Sequence, residues 1–196
     1  MEDRIGREMR RYRVAARMVA HEARTKTICD FTGWTREKIK TFRKDPSVAS
    51  KKRRRGPTPT SLKAFFNPAR KHNEASCVAG YCRILGAVTA QRIEDAARFY
   101  PNLDRGEILC DVFESYRTLF STSKLSFEQV KAIAIGLAQG DVIGLGRCSG
   151  CPRTILIDRL ASGHPLCWRC RKDAKRKVPK KRSRRAARGR AKEVVS

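Results

Sequence analysis

The stretch "CSGCPRTILIDRLASGHPLCWRC", residues 148–170, holds two Cys-x-x-Cys pairs with fifteen residues between them. A Cys-x-x-Cys turn aims two sulfurs at one point, and a hairpin can bring a second such turn back to face the first. The β-branched run "RTILID", 153–158, reads as one strand, and "DVIGLGR", 141–147, reads as another just before the quartet. Spacing of this kind is a metal-site signature. The expectation is one Zn2+ per chain, held by Cys148, Cys151, Cys167 and Cys170. Four thiolates leave no open coordination position, so such an ion is structural. Arg147, Arg153, Arg169 and Arg171 flank the quartet and are expected to offset thiolate charge and depress the thiol pKa values. A redox centre would call for one pair inside a βαβ pattern, which is missing. Disulfides are rare in a reducing compartment. His164 reads as a turn residue, and Cys29, Cys77, Cys82 and Cys110 read as small, inert members of apolar helix faces.

Upstream of the quartet, apolar periodicity predicts a mainly α body. Helices are expected over 8–23, 25–31, 35–44, 74–88, 90–100, 106–120 and 126–138. The strongest stripe is Leu109, Val112, Phe113, Tyr116, Leu119 and Phe120. Ser126 with Gln129 three residues on is a capping-box pattern, and Gly140 is a stop. Pro46 and Pro101 close the helices before them, since proline cannot continue the hydrogen-bond ladder. The expected organisation is a helical body over 1–141 with a basic linker at 46–62, a cysteine module over 142–172, and a basic tail over 173–196. The tail has nothing to bury and is expected to be disordered.

Within the body, "TICDFTGWTREKIKTFRKDP", 27–46, matches a helix-turn-helix. Cys29 is the small residue inside the first helix, Gly33 the turn residue, and Thr35 the N-cap of the second helix. Ile28, Trp34, Ile39 and Phe42 pin the pair together, whereas an apolar residue would fit better than Thr32. The second helix then presents Arg36, Lys40, Thr41 and Lys44 outward. Arg36 can reach guanine or a phosphate.

The charge balance says what kind of partner to expect. Lys and Arg number 45 against 19 Asp and Glu, a net charge of +26. Such a charge strains a compact monomer, so a polyanion is the natural partner, and nucleic acid comes first. Lys51, Lys52, Arg53, Arg54 and Arg55 in the linker are expected phosphate contacts, which position without reading sequence. The N-terminus "MEDRIGREMRRYR" has no apolar signal core, and no apolar run approaches the roughly 18–20 residues of a membrane span. A cytoplasmic, nucleoid-associated protein without a membrane partner is expected. His21, His72 and His164 stand alone, and Glu94–Asp95 and Asp111/Glu114 read as solvated acids. No nucleophile–base–orienter set is visible, so no enzymatic activity is expected. An alternative is a zinc-ribbon protein that binds RNA or the ribosome, which would stack unpaired bases on exposed aromatics. Only 7% of residues are aromatic, and Trp168 is the main one outside the core stripes.

Taken in order, "ARTKTICDFTGWTREKIKTFRKD", "GPTPTSLKAFF", "ASCVAGYCRIL" and the Cys-x-x-Cys pairs resemble the C subunit of the bacterial flagellar master transcriptional activator, over roughly residues 10–172. That resemblance implies a mostly helical protein with a C-terminal zinc module whose ligands are Cys148, Cys151, Cys167 and Cys170. It implies a hetero-oligomer with a helical D-type subunit, binding to promoter DNA, and activation of flagellar class II promoters with the housekeeping RNA polymerase. The chain differs from the family in its more basic linker and longer basic tail.

Overall fold

The computed structural model describes residues 3–48, 61–88, 102–123 and 125–177. Among them lie seven α-helices, one short 3-10 helix and a two-stranded sheet. The helices are α1 (Arg4–Ala20), α2 (Thr25–Thr32), α3 (Arg36–Phe42), α4 (Ala69–Ile84), α5 (Leu103–Leu119), α6 (Phe127–Gln139) and α7 (Trp168–Lys177). The 3-10 turn is Leu62–Phe65, and the strands are β1 (Ile143–Arg147) and β2 (Thr154–Asp158). The expected helix over 90–100, linker residues 49–60 and tail residues 178–196 lie outside the described residues. No helix among the described residues is long and apolar enough to cross a membrane.

Local signals account for most helix ends. The Asp3 side chain accepts from the Gly6 N–H at 2.6 Å, which starts α1 earlier than expected. Asn102 does the same for α5 through Arg105 N–H, and Ser126 with Gln129 forms the capping box of α6. Gly140 closes α6 in the left-handed region at φ +69°. Helix α4 begins at Ala69, behind Pro68, five residues before the expected start.

The core gathers Val14, Met18, Ile28, Phe65, Val78, Leu109, Tyr116, Phe127 and Ile133, all at most 1% exposed. Helices α1 and α5 run side by side in the same direction. Arg10 holds Asp104 and Glu107, and Arg17, seven residues on, holds Asp111 and Glu114, again seven on. Asp111 and Glu114 are therefore clasped to α1, although Asp111 stays exposed and Glu114 is only half-buried. Burial works against ionisation of Glu114, but the hydrogen bonds from Arg17 and His21 outweigh it and lower its pKa. Gly106 sits where α1, α2 and α5 converge: a Cβ there would lie 3.2 Å from Val14, Met18 and Phe31.

Two buried carboxylates tie the body together. Glu74 accepts from Tyr116 Oη and Ser123 Oγ, both at 2.8 Å, and from Arg70. Glu128, 2% exposed, accepts from the Arg24 N–H and Thr27 Oγ1, both at 2.9 Å. Helix α2 has no side-chain cap of its own, so Glu128 of α6 supplies one across the core.

The sheet is not a separate module. Strands β1 and β2 pair antiparallel from Ile143↔Asp158 to Arg147↔Thr154. Ile143 and Leu156 are fully buried in the main core against α4 and α6. The Leu156 N–H donates to Ser76 Oγ at 3.0 Å. The Leu156 carbonyl takes a hydrogen bond from His72 Nε2 at 2.8 Å, and because a carbonyl only accepts, Nε2 carries the proton. Burial holds the His72 imidazole below its ordinary pKa, which keeps the ring neutral. The expected boundary at residue 142 thus falls inside the packed core. Helix α7 runs past residue 172 to Lys177, because its Lys and Arg residues are good helix formers needing no apolar face.

Candidate metal centre and nucleic-acid interface

The far end of the hairpin carries the cysteine quartet. Cys148 follows β1 directly, Cys151 lies in the turn before β2, Cys167 precedes α7, and Cys170 lies in its first turn. Their four sulfurs lie within 4.8 Å of one another, and all are free thiols. A tetrahedral thiolate shell at a metal–sulfur distance of about 2.3 Å has sulfur–sulfur edges of about 3.8 Å. Cys151 Sγ and Cys167 Sγ are 3.7 Å apart, which fits that shell. The quartet could therefore hold a metal ion.

The backbone prepares the sulfurs for charge. Cys148 Sγ accepts the N–H groups of Cys167 at 3.2 Å and Gly150 at 3.4 Å, and Cys167 Sγ accepts that of Cys170 at 3.5 Å. Burial opposes ionisation of Cys148, but these N–H groups outweigh it and bring its pKa down to about 6. Amide donors aimed at sulfur, more than the four flanking arginines, depress this thiol. Cys170 moves the other way, to about 12, chiefly because it donates to Cys167. Four thiolates so close cannot all ionise unless a cation joins them. The two knuckles are tied by a hydrogen bond from Ser149 N–H to the Pro165 carbonyl at 2.9 Å. Gly150 leaves the space they need, since a Cβ there would lie 3.0 Å from Cys170 Sγ. Around the sulfurs, Ile155, Ile157 and Leu166 form a small apolar shell.

The second expected feature is also in place. Helix α2 ends at Thr32, Gly33 turns the chain at φ +70°, and Thr35 caps α3 by accepting from Lys38 N–H at 3.2 Å. Ile28 and Ile39 are fully buried, Trp34 is buried, and Phe42 is half-buried. Thr32 fits better than an apolar residue would. Its buried Oγ1 donates to the Ile28 carbonyl at 2.6 Å and accepts from Trp34 N–H at 3.2 Å, which closes the turn. Cys29 is half-buried, and burial pushes its thiol pKa up. Cys82 and Cys110 are buried with thiols pushed to about 12, as befits inert core residues. Cys77 is half-buried and shifted in the same direction.

Arg36, Lys40, Thr41 and Lys44 are all exposed. Lys44 lies beyond α3, which stops at Phe42 and not at 44 as expected. Lys38, on the same helix, is engaged: its Nζ meets Glu8 at 2.6 Å and lies 4.2 Å from the Trp34 ring centroid. Arg43 reaches back to the Ala23 carbonyl at 2.6 Å and fastens the end of α3 to the body. Lys51, Lys52, Arg53, Arg54 and Arg55 lie outside the described residues. His164 is exposed in the loop after β2. Sequence reasoning missed Glu128, whose partners lie about a hundred residues away, and Gly150, whose role depends on where Cys170 returns. No protein-family model matches the chain, and no curated protein matches it.

Proposed function

We propose that this protein is a DNA-binding transcriptional activator subunit whose cysteine quartet holds one structural Zn2+. The observation that carries this is the α2–Gly33–α3 pair, with Arg36, Lys40, Thr41 and Lys44 exposed on a chain of net charge +26. A short helix with a basic outer face, braced by a preceding helix, suits docking in the major groove of a duplex. Zinc suits four sulfurs at tetrahedral spacing and has no redox chemistry of its own that would disturb a structural role. In keeping with the resemblance, the protein would act with a D-type helical subunit at flagellar class II promoters, with the housekeeping RNA polymerase and within the nucleoid. The ion would brace the hairpin end, and α3 with the basic linker would grip phosphates.

Fluorescence anisotropy of the zinc-loaded chain on promoter duplex, competed by unlabelled duplex and by single-stranded RNA, tests this. Duplex should compete better, and Arg36→Ala and Lys40→Ala should each weaken binding. Stronger competition by the RNA would favour a zinc-ribbon RNA binder, for which the half-open ring of Trp168 at the head of α7, 37% exposed, offers a stacking surface.

A further inference from the structure

Most large apolar side chains among the described residues are buried; Ile84, Leu119 and Leu160 stand out singly, whereas one face of α1 exposes three together. Ile5, Met9 and Tyr12 are 74%, 61% and 44% exposed. They are spaced i, i+4, i+7, so they form one stripe along about 10 Å of helix. The buried residues of the same helix, Val14, Ala15, Met18 and Val19, belong to a later stretch of it. The stripe runs into an aromatic cluster. Tyr12 meets Trp34 and Phe42 edge-on, with ring centroids 4.8 Å and 5.8 Å apart, and Trp34 and Phe42 are 5.3 Å apart. Beside these rings lies a cavity of roughly 630 Å³ lined by Tyr12, Trp34, Lys38, Thr41, Phe42, Lys44 and Asp45. Trp34 Nε1 is buried with no hydrogen-bond partner.

Charges around this face have one sign to spare. Glu8 is taken by Lys38 and Arg11, and Asp45 by the N–H and hydroxyl of Ser47. Arg4, Arg13 and Lys44 are exposed and make no ion pair among the described residues. We infer that the Ile5–Met9–Tyr12 stripe and the Trp34 cavity form a docking surface for an amphipathic helix of a partner protein with acidic flanks. An apolar ridge on that helix would lie along the stripe, a large side chain would enter the cavity, and its carboxylates would face the free arginines and Lys44. A second copy of this chain brings the same positive charge to the face and is disfavoured. A bilayer is a poorer occupant too. The later half of α1 is packed into the body, and Tyr12 is held against two other rings, so the helix cannot lie flat in a membrane interface.

The cavity shares Thr41 and Lys44 with the proposed DNA face, but Ile5 and Met9 lie outside that face, so the stripe can be tested separately. The probe is a fluorescent helical peptide of about 15 residues with leucines at i, i+4 and i+7 flanked by glutamates. Its control carries lysines in place of the glutamates. The full-length zinc-loaded chain should bind the acidic peptide with Kd on the order of 10 µM, and the lysine peptide at least about tenfold more weakly. Ile5→Ser combined with Met9→Ser should weaken the acidic peptide about tenfold or more, with thermal midpoint and duplex binding unchanged. Equal binding of both peptides, or of wild type and variant, would overturn the inference. So would concentration-dependent dimerisation in sedimentation, or binding to vesicles of anionic lipid, that the double variant abolishes. Either result would hand the stripe to another occupant.

Discussion

Cys148 receives two backbone N–H groups at its sulfur, which is why its pKa falls to about 6. Cys148→Ser should reduce zinc retained after dialysis against a chelator from about one ion per chain to near none, measured by metal analysis. Gly150→Ala pushes a methyl towards Cys170 and should lower zinc affinity about tenfold or more, read by competition with a chromophoric chelator. The clustering of the four cysteines was legible from spacing alone. Gly150 was not, because its close neighbour is twenty residues away in sequence. In the body, Glu74 is the residue to probe. Burial works against its charge, but Arg70, Ser123 and Tyr116 win, so its folded pKa lies below the ordinary 4.5. Its contribution is therefore fully present above pH 4.5 and is lost as pH falls through the lowered folded value. Glu74→Leu should cost about 1–3 kcal/mol for each hydroxyl it strands, seen in urea melts at pH 7. The same melts in acid should show a flatter loss of stability than wild type.

Helix α6 and the α2–α3 pair were legible because their signals are local: a capping box, an N-cap threonine and a turn glycine. Helix α7 and the 3-10 turn were not, since neither carries an apolar period. The clasp of Arg10 and Arg17 on α5 was equally hidden, because its charges pair across more than ninety residues. Thr32 was misjudged for a related reason. A hydroxyl buried in a helix pair looks wrong until its two hydrogen bonds are seen. Thr32→Val keeps the shape but leaves the Trp34 N–H unpaired, and should destabilise the chain by about 1–3 kcal/mol in denaturant melts. Glu128→Ala removes the distant cap of α2 and should loosen the pair without touching its outer face. Amide exchange at Thr25–Ile28 should accelerate, while duplex binding weakens with no change in the residues that face the DNA.

At the scale of the whole molecule, the hairpin links the candidate metal centre to the helical body. Ile143 and Leu156 sit in the main core, whereas the sulfurs have only a small shell of their own. Chelating the metal should therefore raise amide exchange across 148–170 and leave the far-UV signal of the helices largely intact. Global unfolding on chelation would show that the body leans on the ion. The segments that would add most to the charge, 49–60 and 178–196, lie outside the described residues, so the structural case for DNA rests on the helix pair. The most direct measurement is the salt dependence of duplex binding by the zinc-loaded chain. Each neutralised phosphate contributes about −0.9 to the log–log slope, so Arg36, Lys40 and Lys44 alone set it near −2.7 or steeper, and Arg36→Ala should make it shallower by about 0.9. A slope near zero, or one that Arg36→Ala and Lys40→Ala leave unchanged, would contradict a grip on DNA through this face.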